Sequence, residues 1–261
     1  MIVLFVGDVV GRPGRRALAA LLPRLVDAHE VDYVVVNVEN SAGGFGVTPA
    51  VMSELEELGV HCYTSGNHIW DKKEGLALLD SEPRLLRPAN YPEGAPGSGL
   101  HVGETAAGIK VATLNLEGRV FMKALECPFR VAERLLAGLP RDVRVVIVDF
   151  HCEATSEKQA LGFFLDGKVS AVLGTHTHAP TADERVLPGG TAFQTDVGMT
   201  GPYESVIGMK HDKVLRRFLT QLPSAFEVAK RDVRLAGILI EVDEATGKAR
   251  SVERLLIPHE S

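Results

Sequence analysis

Cysteine is scarce in this chain. The three residues, Cys62, Cys127 and Cys152, are odd in number and widely spaced. They match neither a zinc-knuckle spacing nor a disulfide framework, and they point to a reducing cytoplasm. Positive charge is not in excess either. Lys and Arg number 28 against 34 Asp and Glu, a net charge of −6, so no basic stripe for DNA is present. No apolar run reaches the ~18 residues of a membrane span. The opening Met1–Val6 is apolar but lacks a basic flank, and Asp8 interrupts it too early for a signal peptide. There is no internal repeat, low-complexity tract or clear linker. Neither nucleotide-binding glycine fingerprint is found: no Gly-Lys-Ser/Thr closes the turn after Val6, and no Gly-x-Gly-x-x-Gly occurs. What is there suits a cytoplasmic α/β protein. At 261 residues and 45% hydrophobic, the chain can bury a substantial core, and one domain over residues 1–261 is the simplest account.

The polar residues of metal-ligand type collect at the ends of apolar runs. Ile2–Val6 reads as a buried strand ending in Gly7-Asp8, before a helix around Arg16–Val26 whose leucines share one face. Val31–Val38 is a second strand and delivers Glu39-Asn40. A glycine-rich turn, Gly43–Gly46, and a helix with Thr48 as N-cap and Pro49 in its first turn follow. Val60–Thr64 delivers Asn67 and His68. Ile109–Asn115 is a fourth strand, with a loop over Phe121–Pro128 expected beside the site. Val143–Asp149 is a fifth strand and delivers His151. Val169–Leu173 leads to Gly174-Thr175-His176-Thr177-His178. Gly174 is expected to provide a sharp turn, and an extended segment places both imidazoles on one side. The later chain reads as a hairpin around Pro188-Gly189-Gly190, a helix over Asp212–Leu222 and an antiparallel pair, Leu235–Val242 with Ala249–Leu256.

Five strands thus end in Asp8; Glu39 with Asn40; Asn67 with His68; His151; and His176 with His178. Strand ends of one sheet converge on one edge. Mixed nitrogen and oxygen donors suit Mn, Fe, Zn or Co. Seven or eight donors are too many for one tetrahedral ion, but they suffice for two ions about 3.5–4 Å apart.

In this order, Gly7-Asp8, Gly66-Asn67-His68, His151 and Gly174-Thr175-His176-Thr177-His178 resemble the calcineurin-like metallophosphoesterases. The resemblance covers residues 1 to about 202. Two departures stand out. Val10 stands where the family's opening Asp-x-His has its histidine, and Asn37-Val38-Glu39-Asn40 replaces the usual Gly-Asp-x-x-Asp-Arg block. With Asn67–Asp71 and Thr195–Met199, these features resemble the bacterial YmdB-like subgroup, described as 2′,3′-cyclic nucleotide phosphodiesterases. The resemblance implies a two-sheet β-sandwich flanked by helices, with the site at the strand carboxyl ends. It implies that Glu39 bridges two ions, that Asp8 and His178 bind the first, and that Asn67, His151 and His176 bind the second. Asn40 holds the first ion or orients a phosphate oxygen, and His68 protonates the leaving oxygen. Fe or Mn are the expected ions, with Zn or Co as alternatives. The expected reaction is attack on a small-molecule phosphodiester by a hydroxide bridging the ions.

Two other classes are weighed. Metal-dependent amidohydrolases carry His-x-His on the first barrel strand, whereas here it comes late and eight even β/α units are absent. A metal-containing regulator with little or no turnover, binding nucleotide or RNA, is favoured by Val10. Homo-oligomer formation is left open by the sequence, and DNA and membrane partners are not expected.

Overall fold

The computed structural model describes residues 1–260. In chain order the elements are β1 (Ile2–Val6), β2 (Asp8–Val9), α1 (Gly11–His29), β3 (Tyr33–Asn37), α2 (Pro49–Glu56), β4 (Cys62–Thr64), α3 (Leu76–Ser81) and β5 (Leu100–Glu104). There follow β6 (Lys110–Glu117), α4 (Pro128–Ala137), β7 (Val145–His151), α5 (Thr155–Leu165), β8 (Ala171–Thr175), β9 (Arg185–Val186) and β10 (Ala192–Gln194). The chain closes with β11 (Met199–Pro202), α6 (His211–Thr220), β12 (Val233–Val242) and β13 (Ala249–Pro258). Two mixed sheets result. One runs β2-β11-β12-β1-β3-β4 with β13 also on β12, and the other runs β5-β6-β7-β8-β10-β9.

The layering follows from the two-residue period of a strand. In β1, Val3 and Phe5 point one way and Leu4 and Val6 the other. Val3, Phe5, Tyr33 and Val35 of the first sheet pack against Val111, Ile147, Ala171 and Leu173 of the second. Leu4, Val6, Val34 and Val36 face Leu18 and Leu22 of α1 and Met52 and Leu55 of α2. On the far side, Leu114, Val148 and Val172 meet Val131 of α4 and Leu161 of α5. The order is helix, sheet, sheet, helix. Both faces of each central strand are covered, which explains their unbroken apolar runs.

Thr48 caps α2 through its hydroxyl, which accepts from Val51 N, with Pro49 at the first helical position. Helix α1 starts five residues before the Arg16 expected from its leucines, because Gly11 turns into it at φ 58° and the glycine-rich start has no apolar periodicity to announce it. Strands β7 and β8 each run two residues further than their apolar runs suggested, so His151 lies inside a strand rather than beyond one. The antiparallel pair near the C-terminus is β12 with β13, and β9 with β10 is the short hairpin. No helix among the described residues is long and apolar enough to cross a membrane.

Candidate metal centre

Every candidate residue named from the sequence lies at the carboxyl ends of these strands. Asp8, Glu39, Asn40 and His151 are buried, whereas His176 and His178 are partly open. Two groups of donor atoms form, each within 4.8 Å. One is Asp8, Glu39 and His178, and the other is Glu39, His151 and His176. Glu39 belongs to both. Asn67 joins the second, its Oδ1 3.1 Å from His151 Nε2. Asn40 joins the first, with its amide nitrogen 2.9 Å from Glu39 Oε1 and 3.0 Å from His178 Nε2. Each sheet contributes. Asp8, Glu39 and Asn67 come from β2 and the ends of β3 and β4, while the histidines come from β7 and the end of β8.

The second nitrogen of each of the three histidines is tied down. His151 Nδ1 lies 2.9 Å from Thr175 Oγ1, His176 Nε2 3.2 Å from Glu153 Oε2, and His178 Nδ1 2.9 Å from the Ile207 carbonyl. The nitrogens left over are those that face the carboxylates. His151 Nε2 meets Glu39 Oε1 at 3.1 Å, Asn67 Oδ1 at 3.1 Å and His176 Nδ1 at 3.0 Å. A single N–H satisfies one of these, whereas a cation among them satisfies all. Asp8 Oδ1 and Asn40 Oδ1 are buried and have no hydrogen-bond partner among the described residues. The two donor groups could therefore each hold a metal ion through mixed nitrogen and oxygen ligands.

Electrostatics agree. Burial opposes the charged form of Glu39, yet His151, with His68 and His176, holds its carboxyl down at about 2. Burial also opposes protonation of His151, but Glu39, Asp8 and Asp149 push it up to about 9, so the cluster draws a positive charge. Burial and the His151 charge push His176 down to about 3. Burial raises Asp8 despite His178 and His151 beside it.

The Gly174–His178 stretch differs from the expectation in two ways. Gly174 makes no turn. It lies within β8, where a Cβ would overlap the Thr195 carbonyl. The two histidines are not on an extended segment, since His176 has φ 100° and His178 φ 64°. These left-handed conformations send the rings to different donor groups, so the pair serves two sites instead of one. Thr177 between them donates its N–H to Asp196, which is paired with Lys158 Nζ at 2.6 Å, both buried.

His68 lies beside the donors, and its backbone N–H donates to Glu39 Oε2. Its Nδ1 is 2.8 Å from Asp71 Oδ2, and Phe45 packs edge-on at 5.0 Å between centroids. A cavity of about 900 Å³ opens over Glu39, Asn40, His68, His176 and His178. Gly44 and Phe45 of the glycine-rich turn line it, whereas the Phe121–Pro128 loop expected beside the site does not. Apart from Glu153 and Thr177, the remaining wall comes from Val206 to Phe226, including α6, a helix legible in the sequence over Asp212–Leu222 whose place at the cavity was not. Its signal was the amphipathic repeat of Val214, Leu215, Phe218 and Leu219. Arg15 is engaged by Glu54 and the Ser41 carbonyl rather than by the cavity. Asp149 was also missed. It stands two residues before His151 on one strand, and that spacing puts both on the same face.

Comparison with known proteins places this arrangement. A model of YmdB-like proteins matches residues 4–255. The chain belongs to the YmdB-like family. The Bacillus subtilis protein named 2′,3′-cyclic-nucleotide 2′-phosphodiesterase is 46% identical over 257 residues, which are 98% of this chain and 97% of that one. A crystal structure of a hypothetical protein from Thermus thermophilus superposes with a TM-score of 0.94 at 43% identity, covering both chains fully. A Mycoplasma pneumoniae structure described as a novel phosphatase gives 0.93 at 37% identity, over 99% of this chain and 93% of that one. The YmdB-like fold is thus a mixed α/β arrangement of two sheets and flanking helices.

Proposed function

We propose that this YmdB-like chain is a single-domain phosphodiesterase that hydrolyses 2′,3′-cyclic nucleotides at a binuclear transition-metal centre of calcineurin-like type. The observation that carries the reading is the pair of donor groups sharing Glu39. The B. subtilis relative supports the substrate class by its name. Iron or manganese suits the mixed donors, with zinc or cobalt as alternatives. The three cysteines are unpaired, in keeping with a cytoplasmic setting.

Asp8, Glu39 and His178, with Asn40, would hold the first ion. Glu39, Asn67, His151 and His176 would hold the second. The histidine expected at position 10 has no substitute there, since Val10 is buried against Gly201 and Gly208. Asn40 would make up the first set by turning its amide, so that the unpartnered Oδ1 and not Nδ2 faces Glu39 and His178. When bound, two such ions neutralise a phosphodiester's charge and lower the pKa of the attacking water.

The protein's own groups do the rest. Asn40 and His68 line the cavity where the phosphate oxygens would lie. As water adds to phosphorus, one P–O bond to the ribose breaks and that oxygen needs a proton. His68 is the donor, because Asp71 occupies its Nδ1 and leaves Nε2 for the leaving oxygen.

The test is hydrolysis of bis-p-nitrophenyl phosphate and 2′,3′-cyclic AMP by metal-analysed protein, with Glu39→Gln alongside. About two ions per chain are expected, with turnover in wild type that Glu39→Gln abolishes. Metal binding without cleavage of either ester under Mn, Fe and Zn would overturn the enzymatic reading.

A further inference from the structure

The cavity over the donors holds more than a phosphate. At about 900 Å³ it lies toward the upper end of small-ligand pockets, roughly 300–1,000 Å³, and admits a whole nucleotide. Its wall divides by chemistry. The donor residues form one part, while Phe45, Ile207, Met209, Phe218 and Phe226 form an apolar part.

Helix α6 supplies the centre of that apolar part. Val214, Arg217, Phe218 and Gln221 line the cavity, and their i, i+3, i+4, i+7 spacing is one helical face. Only Val214 of this helix is buried. The helix is therefore not placed there to fill the core. Phe218 keeps 71% of its surface exposed and Ile207 58%, an apolar display facing an open cavity.

Polar groups on this wall are few. Among the described residues Arg217 is the one Arg or Lys lining the cavity, and it lies 5.2 Å over the Phe226 ring. A purely aliphatic occupant would leave Arg217 and Gln221 without acceptors. A heterocyclic base offers both a π-face and ring acceptors. The wall is also continuous with the metal centre, because the Ile207 carbonyl bonds His178 Nδ1 while its side chain lines the cavity. Ile207 is held at φ 46°, a conformation a β-branched residue adopts at a cost, so its placement is imposed.

We propose that this wall is the base-recognition surface of the site: Phe218 stacks the base of a nucleoside 2′,3′-cyclic phosphate, Phe45 and Ile207 close the slot, and Arg217 and Gln221 meet the base's acceptors. The inference rests on the phosphodiesterase reading above. Phe218 is then a specificity-determining residue, and the preferred substrates are esters that carry a base.

The test compares 2′,3′-cyclic AMP with methyl riboside 2′,3′-cyclic phosphate, which has the same reacting group and no base. Wild type should favour the base-bearing ester. Phe218→Ala should lower kcat/KM for cyclic AMP by roughly 5- to 150-fold, the range that stacking on one aromatic ring spans. The loss on the baseless ester should be far smaller, so the ratio collapses. Phe218→Tyr should restore it. Leu219→Ala, on the same helix but off the cavity wall, should leave both rates as they are. Equal loss on both esters in Phe218→Ala, or no loss on either, overturns the base slot. Equal turnover of both esters by wild type overturns the slot and leaves the phosphodiesterase reading standing. Turnover of neither ester by wild type sinks both.

Discussion

Thr175 has one hydroxyl hydrogen, and Asp149 takes it. The Oγ1 to Oδ1 distance is 2.7 Å, and Asn37 Nδ2 donates to the other carboxylate oxygen at 2.8 Å. With its proton committed, Thr175 Oγ1 can only accept from His151 Nδ1. Whenever His151 is neutral, that fixes the tautomer with a free Nε2 lone pair facing Glu39. Burial pushes Asp149 up to about 7, yet His151 and the Thr175 hydroxyl act in the opposite direction. Thr175→Val removes the acceptor and keeps the shape. Titration of metal-free protein with Mn should show roughly 10- to 100-fold weaker binding, the usual effect of losing such an outer partner. Thr175→Ser should bind as wild type does. Unchanged affinity in the valine variant would show that the relay does not set the ligand. His68 is expected to behave differently. His68→Ala should keep its metals and lose about 10²–10⁴ in kcat, the scale of one general acid. Loss of metal in that variant would refute the acid role.

Elements explain which parts of the site were legible. Strands β1, β3 and β7 are apolar on both faces, so a polar residue at their ends stood out in the sequence. Asp8, Glu39 and His151 were found that way. Two other features left no such mark. The left-handed turns at His176 and His178 depend on Asp196, which accepts from Thr177 N and Gly198 N across a separate loop. The cavity wall depends on α6, which was legible as a helix, but nothing in its sequence said that Val214 and Phe218 would line an open cavity. Lys158 is buried on α5 and neutralises Asp196. Lys158→Met should cost about 3–5 kcal/mol, because it strands a buried carboxylate. The check is the urea midpoint, and Lys158→Met with Asp196→Asn should recover part of the loss. The turn after α3 gives a pH signature. The Arg84 side-chain hydrogen bond holds Glu82 down at about 2, from an ordinary 4.5. A depressed carboxyl adds stability above its unfolded pKa and loses it as pH falls through the folded one. The stability difference between wild type and Arg84→Gln should therefore close between about pH 4.5 and pH 2. A constant difference across that window would exclude the pair as its source.

At the scale of the molecule, the donors join two sheets. Asp8, Glu39 and Asn67 stand on one, and His151, His176 and His178 on the other. An ion bound among them ties the sheets together only when both are folded, so it stabilises by mass action. At a hundredfold excess over Kd this is about 2.7 kcal/mol. Chelation should lower Tm by about 5–10 °C, given roughly 2–4 °C per kcal/mol for chains near this size. An unchanged Tm after verified metal removal would show that the sheets do not depend on the centre.

The same geometry sets a clock for synthesis. Asp8 leaves the ribosome before the other donors, yet its strand pairs with β11, while β1 is hydrogen-bonded to β12. The partner strands that anchor this donor are thus made after every other donor, His178 included. Capture of an ion at these donors would therefore wait for β11 and β12. Ribosome-stalled chains released after Pro202 should retain no manganese, whereas those extended past Pro258 should. Early capture by the shorter chain would mean that the ligand loops assemble before the sheet that carries them.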